Sequence, residues 1–540
     1  MKRTRYSLYL AAILAAGAVA RLAIVFWIPT QPVSDFYGFF KVAQSLATEG
    51  RYEAGPGGSD GRRSPAYPVL LSLAMRAAGA GDPLLAAKLA NVVLAVLAAW
   101  IGATLSRRLW GNSAALWTAA ILSFLPRSLL MTDLLAAENL LAPLLLLFLF
   151  LSAGSWIRGF SPGRAAAIGL VCGLMTLTRA VAYAFPLAWL AGALAARRKW
   201  RSLILELAVI LLAAHAVLLP WAIRNASALG RFTPFNTVGG VGIYLGNTDN
   251  ATGQWRPWAD ELERLHPGVF ARGFVAIDDA AWEEAHRWIR AHPGRAARLY
   301  LKKLRIIASD DAFAAAFAIS AEGIPAPVEL KPVLPGAHPL KEHPAEVRAA
   351  LRVSGLLLAI CALSGFILLW RSARKGSSID RALAVGFLAA ALCIPLVSAA
   401  MAVNGRYRWA AEDAIAPVAG LFLAYLGARE GVRRPGGVAP RRELKEPPPP
   451  SGVLSILLNV AGVGARVHRH DPPATVVRRG RRHPDPGLRD QSLGTMAGSR
   501  RVHRHSGEKR QNRQPPLGTF VLSHAHVRLL PAGLGRLRER

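Results

Sequence analysis

An aspartate stands just past the first hydrophobic run of this chain, in Ser34-Asp35-Phe36-Tyr37. A carboxylate beside hydrocarbon is costly unless it is used or paired, so its position needs a reason. Within hydrogen-bond reach of a hydroxyl, such a group takes a proton as a general base. Other ionisable groups recur at the ends of apolar runs. Asp133 and Glu138 lie in Thr132-Asp133-Leu134-Leu135-Ala136-Ala137-Glu138-Asn139, and Arg179 lies between two short apolar runs. Arg224-Asn225 closes a third run, and Arg406 and Arg408 fall in Asn404-Gly405-Arg406-Tyr407-Arg408. An extracytoplasmic acid beside the bilayer is where an enzyme using a lipid-linked substrate would put a base. Any one of these arginines also reads as a snorkelling anchor; a cluster that includes carboxylates is harder to read that way.

The elements that must position these residues are apolar helices. The 540 residues are 53 % hydrophobic, with mean hydropathy +0.29, in runs too long for a soluble core. Spans are read at 7–28, 83–106, 113–132, 134–153, 164–178, 180–196, 203–223, 350–370, 381–402 and 412–428. A crossing of about 30 Å of hydrocarbon takes roughly 20 residues, so the pair 164–178 and 180–196 reads as a short tilted hairpin. Residues 35–48 and 65–78 are amphipathic and read as interfacial helices, with Phe36, Tyr37, Phe39 and Phe40 at headgroup level. Ala18-Val19-Ala20 fits a signal-cleavage site, but the apolar run continues to Ile28, which reads as a retained span.

Lys and Arg accumulate in short cytoplasmic loops. With Lys2, Arg3 and Arg5 inside, the loops carrying Arg107-Arg108, Arg158 with Arg164, Arg197-Arg198-Lys199, and Arg371 with Arg374 and Lys375 all fall inside. Both termini are then cytoplasmic, and Asp35 faces outward. Four zones follow: a membrane core at 1–225 with an outer loop at 29–82, an extracytoplasmic loop domain at 226–348, further spans at 349–428, and a basic Pro/Arg-rich tail at 429–540. The tail has no apolar face to bury and reads as disordered. The net charge of +32 divides between this tail and the cytoplasmic loops. Topology and anionic lipid therefore account for it, and no nucleic-acid partner is expected. Cys172, Cys361 and Cys393 all lie in spans and form no disulfide or CxxC pattern.

In order along the chain, Ser34-Asp35-Phe36-Tyr37, Arg63-Ser64-Pro65-Ala66-Tyr67-Pro68, Glu138-Asn139-Leu140, Gly173 to Arg179, Pro220 to Asn225, Gly239 to Asn247 and Arg406-Tyr407-Arg408 form a set. This set resembles the GT-C membrane glycosyltransferases that use polyprenyl-phosphate sugars, among them the protein O-mannosyltransferases and lipid A aminoarabinose transferases. It covers residues 3–426, and Phe36 follows Asp35 where the O-mannosyltransferases carry a second acid. The resemblance implies an all-α polytopic GT-C fold of about 10–12 transmembrane helices with a mixed outer loop domain. It also implies an inverting transferase of the inner membrane acting on its outer face. The partners would be a polyprenyl-phosphate sugar and a lipid, glycan or protein acceptor. In that reading Asp35 is the base, and Arg179, Arg406 and Arg408 hold the leaving phosphate. Tyr37, Arg63, Tyr67, Asp133, Glu138, Arg224 and Asn247 position substrate, with a divalent cation left open as the only cofactor. A transporter or flippase is the main rival; it would place charges along a path at the bilayer midplane and show internal repeats. A non-catalytic scaffold is the other.

Overall fold

The computed structural model describes residues 3–28, 32, 34–53, 61–309 and 344–431. The tail beyond 431, the Gly-rich link at 54–60 and residues 310–343 lie outside the described residues. Among the described residues the secondary structure is helical. Seven helices are long and apolar enough to cross a membrane, which makes this an integral membrane protein. They are α1 (Arg3–Trp27), α4 (Pro83–Trp110), α7 (Glu138–Arg158), α10 (Trp200–Leu229), α15 (Pro344–Arg374), α16 (Ser378–Ser398) and α17 (Trp409–Gly431). Between them lie the amphipathic α2 (Ser34–Thr48) and α3 (Ala66–Ala78) and the shorter apolar α8 (Pro162–Thr178) and α9 (Phe185–Ala195).

The stretch read as one span at 113–132 is broken. Asn112–Phe124 forms α5 and Pro126–Asp133 forms α6, at 48° to each other. Pro126 disfavours helical geometry at the residue before it, and Leu125 is accordingly extended at ψ 123°. The stretch read as a span from 134 does not become helical until Glu138. Residues 134–137 form a connection whose carbonyls are held by two asparagine side chains, described below.

Local chemistry sets the other boundaries. Asp82 caps α4 by accepting from the Leu84 and Leu85 N–H groups, with Pro83 at the first helical position. Helices α8 and α10 pack backbone to backbone at Gly169 and Gly173. A Cβ on Gly169 would lie 2.3 Å from the Ile210 carbonyl oxygen, so the small-xxx-small spacing creates the contact. The main core gathers α7, α8, α9, α10 and α16 around Trp189, Phe148, Phe185 and Phe387.

A second core joins α2, α3, α4 and α6 around Phe36, Phe40, Tyr67 and Leu71. Here the headgroup reading of the aromatics is corrected: Phe36, Phe39 and Phe40 are buried in protein, with Phe39 edge-on to Tyr67 at 5.6 Å. The segment between α10 and α15 was expected to be mixed. Its described part is instead built from α11 (Gly239–Gly246), α12 (Ala259–Leu265), α13 (Phe274–Ala291) and α14 (Pro293–Ser309) with connecting turns. Helix α11 fits because it presents glycine to both neighbours. A Cβ on Gly240 would lie 2.1 Å from the Asp278 carbonyl oxygen, and one on Gly246 would lie 2.5 Å from the Met401 backbone.

Candidate active site

Four residues from four separate segments converge. Asp35 lies in the first turn of α2, Glu138 opens α7, Arg179 caps the C-terminus of α8, and Arg406 lies in a 3-10 turn, Gly405–Arg408, leading into α17. Arg406 Nη2 donates to Asp35 Oδ2 at 3.2 Å, and its Nε lies 3.4 Å from Glu138 Oε1. Arg179 Nη1 lies 3.2 Å from the same Glu138 oxygen. The ring of Tyr407 sits beside both guanidinium groups, at 5.1 Å from that of Arg179 and 5.8 Å from that of Arg406. Arg63 completes the group. Its guanidinium lies on the backbone of Gly38, where a Cβ would be 1.7 Å from Nη2, so any side chain at 38 would displace the Arg63 guanidinium.

The electrostatics are unequal. The Arg406 side chain is 6 % exposed, whereas that of Asp35 is 64 % exposed and opens into the cleft. The protein mass around the cleft raises the Asp35 carboxyl, and Arg406, Arg179 and Arg63 together outweigh that effect and hold it below the usual carboxylate range. Asp35 is thus an ionised, accessible carboxylate at neutral pH. Three arginines against two carboxylates leave the cluster of Asp35, Glu138, Arg63, Arg179 and Arg406 with one positive charge in excess. Both carboxylates face arginine rather than each other. Among the described residues no group of three or more His, Cys, Asp or Glu comes together as a metal site.

The remaining expected residues are placed elsewhere. Arg408 turns away: its Nε binds Glu412 at 2.7 Å, and its Nη1 donates to the Ala308 carbonyl at the end of α14 at 2.7 Å. Asp133 is buried in an ion pair with Lys88 of α4 at 2.7 Å. The hydroxyl of the fully buried Tyr67 donates to Asn91. Arg224 stacks against Tyr52 and Trp221 and donates to the Asn225 side chain. Asn247 donates to the Ile243 and Ala400 carbonyls, which ties α11 to the connection between α16 and the 3-10 turn. Tyr37 lies near the cluster in sequence and packs under Lys41.

Several structural residues were not anticipated. Asn91 and Asn139 hold the connection before α7: Asn91 Nδ2 donates to the Thr132 and Leu134 carbonyls, and Asn139 Nδ2 donates to those of Met131, Leu134 and Ala136. This braid fixes where Glu138 begins its helix. Their signal was present in sequence, since an amide inside an apolar span needs a partner. Arg127 on α6 forms buried ion pairs with Glu412 at 2.6 Å and Asp413 at 2.8 Å. A cavity of about 20 Å³, room for a single water, lies among Glu138, Asn139, Arg127, Ser128 and Asp413. A larger cavity of about 440 Å³ begins at Ala180, the residue after Arg179, and is walled by Tyr183, Phe235, Asp278 and Trp282.

No protein-family model matches the chain, and no curated protein does. Among solved structures the chain is similar to an oligosaccharyltransferase of Archaeoglobus fulgidus in its apo form, at 14 % identity and TM-score 0.46, covering 78 % of this chain and 51 % of that one. It is also similar to that organism's oligosaccharyltransferase AglB in complex with an inhibitory peptide and a dolichol-phosphate, at 15 % identity and TM-score 0.44, covering 79 % and 52 %. A third similarity is to ArnT of Cupriavidus metallidurans bound to undecaprenyl phosphate, at 16 % identity and TM-score 0.35, covering 79 % of each. The chain spans about half the length of the archaeal protein.

Proposed function

We propose that this protein is a membrane glycosyltransferase of GT-C type. It transfers a sugar from a polyprenyl phosphate to an acceptor hydroxyl on the extracytoplasmic face. The observation that carries the reading is the meeting of Asp35, Glu138, Arg63, Arg179 and Arg406, with one positive charge in excess and an open carboxylate. The order of the sequence motifs and the arginine phase of the loops support it.

The chemistry follows from the geometry. The acceptor oxygen attacks C1 of the sugar as the C1–O bond to phosphate breaks, with inversion, and the bonding pair leaves on the phosphate. The acceptor proton passes to Asp35, which returns it to solvent. Charge grows on the departing phosphate, and Arg179 and Arg406 are the donors that meet it. Both are pre-positioned by Glu138, so little reorganisation is needed. Arg408, engaged by Glu412 and the α14 carbonyls, braces the turn that carries Arg406. The cavity beside Ala180 has the aromatic and acidic walls of an acceptor site.

The test is turnover of purified Asp35→Asn with a polyprenyl-phosphate sugar. Asparagine keeps the shape but takes no proton near neutral pH, so transfer should fall by roughly 100-fold or more with donor binding retained. Near-normal turnover would overturn the base assignment. It would point to an acceptor that is already an anion, with Asp35 positioning the sugar.

A further inference from the structure

A groove of about 360 Å³ lies between α15 and α16, at the opposite end of α16 from the 3-10 turn that carries Arg406. From Ala384 and Leu388 to its end at Ser398, α16 sets the two roughly 15–20 Å apart. The groove is independent of the transfer reading. Its walls are apolar: Ile367 and Trp370 on one helix, Val385 and Leu388 on the other. Ile367 is 44 % exposed, and Trp370 and Leu388 are each 46 % exposed. Positions 366, 367, 370, 371 and 374 recur at helical spacing, so Arg371 and Arg374 continue the apolar stripe to the groove's mouth. On the facing helix, Arg381 precedes Ala384, Val385 and Leu388 by three, four and seven residues and shares their face.

Arg371 and Arg374 are exposed at this mouth. Arg371 and Arg374 have no side-chain hydrogen bond or ion pair among the described residues, and the Nε of Arg381 is buried without a hydrogen-bond partner. The acid nearest in sequence, Asp380, accepts the Ser372 hydroxyl at 2.6 Å and lies in the first turn of its own helix. Salt-bridge anchors would be paired, and topology-setting arginines need no groove. An apolar trough ending in guanidinium groups that no described side chain pairs fits one kind of molecule.

We propose that this groove binds an anionic phospholipid, with an acyl chain along Ile367, Trp370 and Leu388 and the phosphate held by Arg371 and Arg374. Arginine supplies two donors to adjacent phosphate oxygens, and each basic side chain at such a surface contributes about 1 kcal/mol. Two of them correspond to a roughly 30-fold preference. The bound lipid would splint the α15–α16 hairpin, whose far end leads into the turn that carries Arg406.

The full-length protein is delipidated in detergent and offered equimolar phosphatidylglycerol and phosphatidylcholine, with retention read by native mass spectrometry. Wild type should keep one phosphatidylglycerol in preference, and Arg371→Gln with Arg374→Gln should lower its occupancy by roughly 30-fold. Ile367→Trp fills the trough and leaves both arginines, so it should lower retention as well. It decides the question if the double variant fails to fold. Equal retention of both lipids by wild type overturns the proposal, as does unchanged retention in the double variant. Retention that survives Ile367→Trp would mean surface charge alone. Displacement by glycerophosphoglycerol would mean a site for free phosphate rather than for lipid.

Discussion

Two charged clusters lie within a few residues of each other along the chain and are built on different principles. Around Arg127, two arginines face two carboxylates: Arg127 binds Glu412 and Asp413, and Glu412 binds Arg408. These four sum to zero, and Arg127, Glu412 and Asp413 are all buried, with the buried Arg21 nearby held by the Leu122 and Ser123 carbonyls and Ser128. Around Arg406, the sum is one positive, and Asp35 stands open to the cleft. The closed cluster has every charge matched and no room beyond a water. The open one keeps surplus charge and an accessible oxygen. Charge matched and sealed holds helices in register; charge left over and reachable is available to a ligand. Arg406 and Arg408, two residues apart in one turn, belong to opposite sides of that division.

The sharpest way to break the comparison is to remove the centre of the closed cluster. Arg127→Leu leaves Glu412 and Asp413 with one partner fewer in a dry site, where losing one member of a buried pair costs about 3–5 kcal/mol. The expected outcome is a large fall in detergent Tm and in folded yield. Asp35→Asn, by contrast, should leave Tm nearly unchanged while transfer falls. A well-folded Arg127→Leu with normal Tm would show that the closed cluster is not structural.

The division was only partly legible in the sequence. The ten apolar stretches are largely helical in the structure, broken at Leu125 and again at 134–137, because hydropathy and length report on the lipid environment directly. The motif residues Asp35, Glu138, Arg179 and Arg406 do meet. What could not be read is which acid pairs with which base, since pairing is set by packing between segments hundreds of residues apart. Asp133 and Arg408 looked equivalent to Glu138 and Arg406 as charged residues at span ends, yet Lys88 and Glu412 claim them. Arg127 was hidden inside an apparent span, and only the break at Leu125–Pro126 turns it toward α17. Phe36 and Phe40 read as membrane anchors because amphipathic periodicity marks a buried face without naming what covers it.

Within the open cluster, Arg179→Lys sharpens the contrast. Lysine keeps the charge and a contact to Glu138 but loses the fork that holds two phosphate oxygens. Transfer should fall roughly tenfold, equivalent to about 1.4 kcal/mol of transition-state stabilisation, with Tm held. Full activity would remove Arg179 from the phosphate site, and a large Tm loss would move it to the structural side of the division.

Lys303 tests a third arrangement, a buried cation held by dipoles without a carboxylate. Its side chain is fully buried on α14, and Nζ donates to the Gly246 carbonyl at the C-terminus of α11 and to the Asn247 side-chain oxygen, at 3.2 and 3.3 Å. Burial pushes its ammonium down to about 8, from an ordinary value of 10.5. The unfolded chain therefore binds more protons than the folded one between these values, and stability should rise with pH from about 8 to 10.5. Below pH 8 the cost of burying the charge is carried in full. Lys303→Met removes the titration, so its Tm should be flat across that window where wild type climbs by several degrees, the response to a stability change of roughly 3 kcal/mol. A wild-type Tm that is flat or falls over the same range would mean that the helix dipole and the amide compensate the charge fully.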